Sequence, residues 1–242
     1  MKEKLRAIDL FCGAGGATKG LQLAGFNVVG VDLSPQPRYC GEKFIQADAM
    51  KFEICSFIGG SADYHPEICD RCGEDYLDIR HTQFIWASPP CQAHSRLNGI
   101  NAKQYDDFIG PIRSRLEKIG IPFVIENVVG APLFNARMLC GSMFGLGIWR
   151  HRLFEPHGFS FESPMCRHSE FPSPLDVTGT GGPCPTRKTG GGGLHRKPKN
   201  MAQANRAMGI DWMIRRELTQ SIPPAYAKYI GAAVYSIAAS KA

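Results

Sequence analysis

Short apolar runs alternate with helix-like segments through the first half of the chain. The runs that we interpret as strands are residues 6–11, 26–31, 43–46, 83–87 and 121–125. Apolar residues at helical spacing predict helices over 17–24 and 105–119, and Gly110-Pro111 should start or kink the second. Strands that alternate with helices favour an α/β fold with a doubly wound, mostly parallel sheet.

The pattern changes after about residue 155. Residues 156–200 are rich in Gly, Pro, Ser and Thr, and little regular structure is predicted there. Helix-like segments resume near 201–216 and over Pro224–Ala239. We therefore predict a main domain over residues 1–155, a small irregular lobe over 156–216, and a C-terminal segment, 217–242, that returns to the main domain.

Positive charge is concentrated in the second half of the chain. The 242 residues carry a formal net charge of +6, and hydrophobic residues make up 43%, enough for a sizeable core. Residues 137–216 contain 12 Lys and Arg against 5 Asp and Glu, whereas the remainder contains 16 against 17. Such a block can contact phosphates, and it can equally be a solvated surface. The cluster that flanks the Gly-rich stretch is Arg187, Lys188, Arg196, Lys197 and Lys199.

The sequence predicts a protein of a reducing compartment, without a membrane span. Nine cysteines are an odd number, which makes a disulfide framework a poor interpretation and the cytoplasm the expected location. The longest uncharged run near the C-terminus, Tyr229–Ser240, has 12 residues, fewer than the about 20 that cross a bilayer. No secretory signal and no obligate protein partner are indicated.

Residues with chemical potential follow the predicted strands. Gly13-Ala14-Gly15-Gly16, Asp32, Asp48, Cys91 and Glu126 all come at strand ends, where α/β sheets bind ligands. The glycine turn with Asp32 fits a nucleoside cofactor, and the alternative is a structural turn. Cys91 follows two prolines that would hold a nucleophile in place, although a lone cysteine is more often buried and inert. A Glu at a strand end is ordinarily a surface residue.

Five motifs in order make the interpretation specific. They are Asp9-Leu-Phe-Cys-Gly-Ala-Gly-Gly16, Ser88-Pro-Pro-Cys-Gln92, Glu126-Asn-Val128, Arg150-His-Arg152 and Leu218-Thr-Gln-Ser-Ile-Pro-Pro224. In this order they resemble the motifs of the DNA (cytosine-5) methyltransferase family, in its compact phage or bacterial type. The resemblance covers about residues 7–154 and 217–235. Two departures are His94, where the family usually has Phe, and Ile148-Trp149, which precede the arginine pair in place of the usual Gln.

The resemblance implies an activity and a role for each matched residue. The protein would have the Rossmann-like fold of methyltransferases that use S-adenosylmethionine, and would transfer the methyl group to carbon-5 of a flipped cytosine in double-stranded DNA. The implied catalytic residues are Cys91, which attacks carbon-6, Glu126, which contacts N3, and the supporting Arg150 and Arg152. The implied substrate-positioning residues are Asn127, Gln92 and Ser95. The implied cofactor-binding residues are Phe11, Gly13, Gly15, Gly16, Asp32, Asp48, Ala49, Pro90, Ser221 and Ile222.

The resemblance implies that residues 1–155 carry out catalysis and cofactor binding and that residues 156–216 recognise the target sequence. Two other functions remain open at this stage. An RNA (tRNA) cytosine-5 methyltransferase could share every motif, and a catalytically inactive DNA-binding protein is the third reading. The biological role would be restriction-modification, masking of phage DNA, or regulation.

A cysteine pair raises the question of a metal. Cys69-Asp-Arg-Cys72 has a spacing that chelates zinc, but a structural site needs four ligands and no second pair follows. A structural zinc at Cys69 and Cys72 is therefore one interpretation and free thiols are the other. Cys166, His168 and Cys184 form a weaker candidate set.

Overall fold

A seven-stranded sheet forms the centre of the computed structural model, which describes residues 4–52, 82–94, 105–178, 187–188 and 194–239. The strands are β1 Arg6–Leu10, β2 Asn27–Asp32, β3 Lys43–Gln46, β4 Thr82–Ala87, β5 Phe123–Asn127, β6 Arg137–Leu139, β7 Arg152–His157, and the separate pair β8 Arg187–Lys188 and β9 Leu194–His195. The α-helices are α1 Gly16–Leu23, α2 Ile109–Ile119, α3 Met201–Met208, α4 Arg215–Gln220 and α5 Pro224–Ala239. Gln92–His94 and Gly141–Phe144 are short 3₁₀ helices.

The sheet has the order β3-β2-β1-β4-β5-β7-β6. Strands β1 to β5 pair in parallel, whereas β7 is antiparallel to both β5 and β6. The prediction of a doubly wound, mostly parallel sheet is confirmed. The antiparallel end was not predicted, because β6 has only three residues and β7 mixes apolar with charged positions.

Each face of the sheet is covered by helices. Strand β4 shows the division, since Phe84 and Trp86 pack with α1 and α5 while Ile85 packs with α2. Burial on both faces explains why the central strands are nearly continuous apolar runs. Helices α1 and α5 lie very close together, and a Cβ on Gly20 would be 2.2 Å from the carbonyl oxygen of Pro224.

Two helix boundaries differ from the sequence expectation. The predicted helix near 201–216 is in fact α3 and α4, because Gly209 adopts a left-handed conformation with φ of +68° and ends α3. Helix α2 begins only at Ile109, so that Gly110-Pro111 lies in its first turn, where a proline is tolerated. The domain boundaries at 155 and 216 stay predictions.

Residues after β7 pack against Ala14 and Ile148 of the main domain through a third apolar cluster. Its buried members include Ala14, Ile148, Val177, Met208 and Leu218. The cluster thus joins the start of α1 to the segment that carries α3 and α4. Within the described ranges, none of the helices is long and apolar enough to cross a membrane.

Candidate functional site

A cleft of about 1250 Å³ lies at the carboxyl edge of the parallel strands. Most of the residues singled out in the sequence line it together: Phe11, Gly13, Gly16, Asp32, Asp48, Ala49, Pro90, Cys91, Gln92, Glu126, Arg152, Ser221 and Ile222. Gly15, Asn127 and Arg150 are not on the lining. Ser95, Cys69, Cys72 and Cys184 lie outside the described residues.

The glycine turn after β1 orients the carboxylate at the end of β2. The backbone N–H of Gly13 donates to Asp32 Oδ2 at 2.9 Å, and that of Ser34 donates to Oδ1 at 2.9 Å. Each carboxylate oxygen keeps a lone pair for a further donor. Asp32 is therefore held in place and can still accept hydrogen bonds from a ligand.

Gly16 allows the C-terminal motif to close over the start of α1. A Cβ at this position would be 2.0 Å from Ser221 Oγ and 2.6 Å from the carbonyl oxygen of Ile222. Only glycine permits this approach. The contact explains why residues from 13–16 and 221–222, about two hundred positions apart, line the same cleft.

Asp9 also lines the cleft, although the motif that contains it implied no role for this residue. It is buried at the end of β1, and burial raises its pKa to about 7. Thr18 Oγ1 donates to Asp9 Oδ2 at 2.6 Å, whereas Oδ1 has no hydrogen-bond partner among the described residues. Because its side chain is fully buried, Asp9 backs the cleft rather than offering an accessible acceptor to a ligand.

The loop that carries Cys91 is fixed from behind by β5. Asn127 Nδ2 donates to the carbonyl oxygen of Pro89 at 3.0 Å, and the N–H of Val128 donates to Asn127 Oδ1 at 2.9 Å. On the far side, His94 and Asp107 form a 3.0 Å contact. Asn127 thus has a positioning geometry, as its motif implied, although it does not face the cleft.

Burial shifts the pKa values of both Cys91 and Glu126, and the charge of Glu126 acts on the thiol. Burial raises the pKa of the Cys91 thiol, and the nearby Glu126 raises it further, while Arg152 opposes the shift. Burial also raises the pKa of Glu126, which is only 7% exposed, against the opposing effects of Arg152 and a hydrogen bond with Ser88. Arg152 Nε lies 3.1 Å from Glu126 Oε1. The site therefore holds a protonatable acid beside a thiol, with a positive charge next to both.

Arg150 lies behind the cleft rather than in it. Its backbone is strained, with φ of +34°, and its carbonyl oxygen accepts a 2.8 Å hydrogen bond from Tyr226. The guanidinium donates from Nη2 to the carbonyl of Thr219 at 2.7 Å, and Nε and Nη1 are buried without partners in the described part of the chain. Burial, with the repulsion of Arg152, lowers the pKa of Arg150 to about 9.

The basic cluster of the small lobe is divided by the structure. The Lys197 ammonium contacts Asp176 Oδ2 at 3.0 Å and the carbonyl of Thr178 at 2.9 Å, so it holds the fold of the lobe. Arg196 and Lys199 are exposed. Of Arg187 and Lys188 the structure describes the backbone, in β8, and not the side chains.

Comparison with known proteins agrees with this geometry at the level of the fold. No family model matches the sequence, and no curated protein matches it significantly. Among solved structures, a protein encoded within an E. coli prophage and proposed to be a DNA modification methyltransferase is 14% identical, with a TM-score of 0.59 over 97% of this chain and 99% of that chain. The Dnmt2 methyltransferase of S. pombe is 13% identical, with a TM-score of 0.56 over 98% and 99%.

This chain has the Rossmann-like methyltransferase fold. The similarity extends over nearly the full length of both neighbours, so the small lobe after β7 is included in it. Within the methyltransferase fold, the cleft at the carboxyl ends of the strands is where a ligand is expected to bind. That is the edge where Asp32, Cys91 and Glu126 meet.

Proposed function

We propose that this protein is a DNA (cytosine-5) methyltransferase that uses S-adenosylmethionine. The observation that carries the proposal is the convergence of Cys91, Glu126 and Arg152 on the same cleft as Asp32 and the glycine turn. A thiol, an acid of raised pKa and a guanidinium form the set that nucleophilic attack on a pyrimidine ring needs. The order of motifs adds independent support.

The cleft residues fit S-adenosylmethionine. Asp32 keeps acceptor capacity for ribose hydroxyls. Phe11, Asp48, Ala49, Ser221 and Ile222 line the same cleft. When bound, the cofactor supplies an electrophilic methyl group.

Glu126 and Cys91 would share one proton in the resting site. An ionised Glu126 raises the pKa of the thiol, so transfer of the proton to Glu126 removes that opposition while the net charge of the pair is unchanged. Arg152 at 3.1 Å stabilises the negative charge in either arrangement. The reactive form is then a thiolate beside a protonated acid.

The chemistry follows from that form. The Cys91 sulfur forms a bond to carbon-6, Glu126 donates its proton to N3, and the displaced electron pair makes carbon-5 nucleophilic. Carbon-5 would then take the methyl group, the electron pair of the broken sulfur–methyl bond staying on the cofactor sulfur as S-adenosylhomocysteine, and carbon-5 would lose its own proton to a base. The bond between the Cys91 sulfur and carbon-6 breaks, its electron pair returns to that sulfur, and the aromatic ring is restored. Glu126 recovers its proton from N3.

The target base must leave the helix, because Cys91 is half-buried in the cleft and cannot reach a stacked cytosine. Exposed basic residues of the small lobe, Arg196 and Lys199, are suited to phosphate contacts. The short length of this lobe favours a recognition sequence of few base pairs.

Bisulfite sequencing of DNA and tRNA from the same expressing cells tests the proposal. We expect 5-methylcytosine in DNA, in one short sequence context, and none in cells that express Cys91→Ser. Modified tRNA with unmodified DNA would establish the RNA enzyme. Absence of methylcytosine from both, with the protein folded and bound to cofactor, would leave the DNA-binding reading.

A further inference from the structure

Four potential metal ligands meet at a place that the proposed function does not use. They are Cys140, His151, Cys166 and His168, and one ligand atom from each lies within 4.8 Å of all the others. Cys140 directly follows β6, His151 directly precedes β7, and the other two lie in the loop after β7. We propose that these residues bind one structural zinc ion.

The distances within the cluster fit a tetrahedral site. Cys140 Sγ lies 3.3 Å from His168 Nε2, and Cys166 Sγ lies 3.6 Å from His151 Nε2. Zinc–sulfur bonds of about 2.3 Å and zinc–nitrogen bonds of about 2.0–2.1 Å at tetrahedral angles separate sulfur from nitrogen by about 3.6 Å. Cys₂His₂ is one of the ligand sets of structural zinc.

The chemistry of the set favours zinc over hard cations. Thiolate and imidazole are its only donors, and magnesium and calcium prefer oxygen. Two thiolates would neutralise one zinc ion, so the centre carries no net charge into a partly buried place. Free thiols and imidazoles would make the same contacts as ordinary hydrogen bonds, and this is the alternative that the experiment must exclude.

Neighbouring groups hold the ligands in place, as is usual around a zinc site. Cys140 caps the 3₁₀ helix Gly141–Phe144: its carbonyl oxygen accepts the N–H of Met143 at 3.0 Å, and its own N–H donates to Met143 Sδ at 3.2 Å. Ser142 Oγ lies 3.2 Å from Cys140 Sγ and accepts the N–H of Arg167 at 3.0 Å. The His168 ring stacks on Trp149 at 3.9 Å, with 13° between the planes.

A zinc ion here would fasten the loop after β7 to the segment that carries the arginine pair. His151 stands between Arg150 and Arg152, and Trp149 stacks on a second ligand. Arg150, whose backbone is strained with φ of +34°, thus lies between the ligand His151 and Trp149, which stacks on a second ligand. Zinc binding would stabilise that backbone conformation, and the ion would take no part in the methyl-transfer reaction.

Metal analysis of untagged protein, purified under reducing conditions without chelator, tests the inference. We expect about one equivalent of zinc per chain, lost in Cys140→Ser and in Cys166→Ser. Cys40→Ser is the matched control, since Cys40 is a half-buried thiol outside the cluster, and it should keep the metal. The double variant Cys69→Ser/Cys72→Ser should also keep it.

Cobalt substitution keeps the inference testable if the serine variants fail to fold. Wild-type protein stripped of zinc and titrated with Co²⁺ should show the visible bands of a tetrahedral site with thiolate ligands. Wild-type protein without zinc or a tetrahedral cobalt spectrum would overturn the inference. So would a disulfide between Cys140 and Cys166 in the reduced preparation, or zinc that depends on Cys69 and Cys72 alone.

Discussion

Replacing Glu126 with Gln tests the proton that the proposed mechanism needs at N3 of cytosine. The side chain is buried, and it forms an ion pair with Arg152 at 3.1 Å. An amide fits the same space and removes a buried charge, so the fold should be kept. It cannot donate a proton and become an anion, so the ring would develop its negative charge without relief.

The magnitude follows from the role of a positioned acid. General acid catalysis contributes about 10²–10⁴-fold, and at 1.36 kcal/mol for each tenfold step this is about 3–5 kcal/mol of the barrier. We expect a loss of that size in the single-turnover rate of methyl transfer to DNA, with little change in cofactor affinity. At the same time the Cys91 thiol should ionise at a lower pH, because a neighbouring negative charge is gone.

The two effects act on the rate in opposite senses, since loss of the acid slows methyl transfer whereas a thiol of lower pKa would speed it; this separates the acid role from a purely electrostatic one. If Glu126 acted only by raising the pKa of Cys91, Glu126→Gln would react faster than the wild type. Glu155→Gln is the matched control, because Glu155 is equally buried but pairs with Arg113 at 2.6 Å outside the cleft. It should lower the melting temperature and leave the rate nearly unchanged. A rate loss under fivefold in Glu126→Gln would refute the acid role.

Three further changes probe the same cleft. Cys91→Ser should bind cofactor and transfer no methyl groups, since a hydroxyl is a far weaker nucleophile; turnover near the wild-type rate would remove Cys91 from the mechanism. Asp32→Ala should weaken binding of S-adenosylmethionine about tenfold or more, in line with lost charge-assisted hydrogen bonds, and leave DNA binding intact in calorimetric titrations; equal losses would indicate misfolding. In the folded protein the pKa of Asp9 is raised from 3.8 to about 7, so the wild type should lose roughly 4 kcal/mol of folding stability as the pH rises from about 4 to about 7. Asp9→Asn should remove this dependence on pH. Denaturation of both proteins at pH 5 and pH 8 measures this, and an unchanged difference between them would contradict the buried acid.

The fold could be predicted where strands are buried on both faces of the sheet, because such strands are continuous apolar runs in the sequence. Strand β4 extends only one residue beyond its predicted limits, because apolar runs bounded by polar residues mark central parallel strands. Strand β3 matches its predicted limits although it is a partly exposed edge strand. The antiparallel end could not be found in this way. The pattern of β7 includes the charged residues Arg152 and Glu155, whose partners come from distant segments: Arg152 pairs with Glu126 of β5, and Glu155 pairs with Arg113 of α2.

The candidate site divides along the same physical line. Residues that follow strands, such as Asp32, Cys91 and Glu126, could be grouped from the sequence because parallel strands deliver their ends to one edge. Arg150 could be named from its motif but not placed, since its position depends on a strained backbone and on the carbonyl of Thr219. The cluster of Cys140, His151, Cys166 and His168 has no short spacing that joins all four ligands; β6 and β7 bring its first two members together by antiparallel pairing, Leu139 with Arg152. A metal site built across such a pairing can be recognised only once the strand register is known. Sequence spacing therefore indicates Cys69 and Cys72, which are close along the chain, and not these four residues.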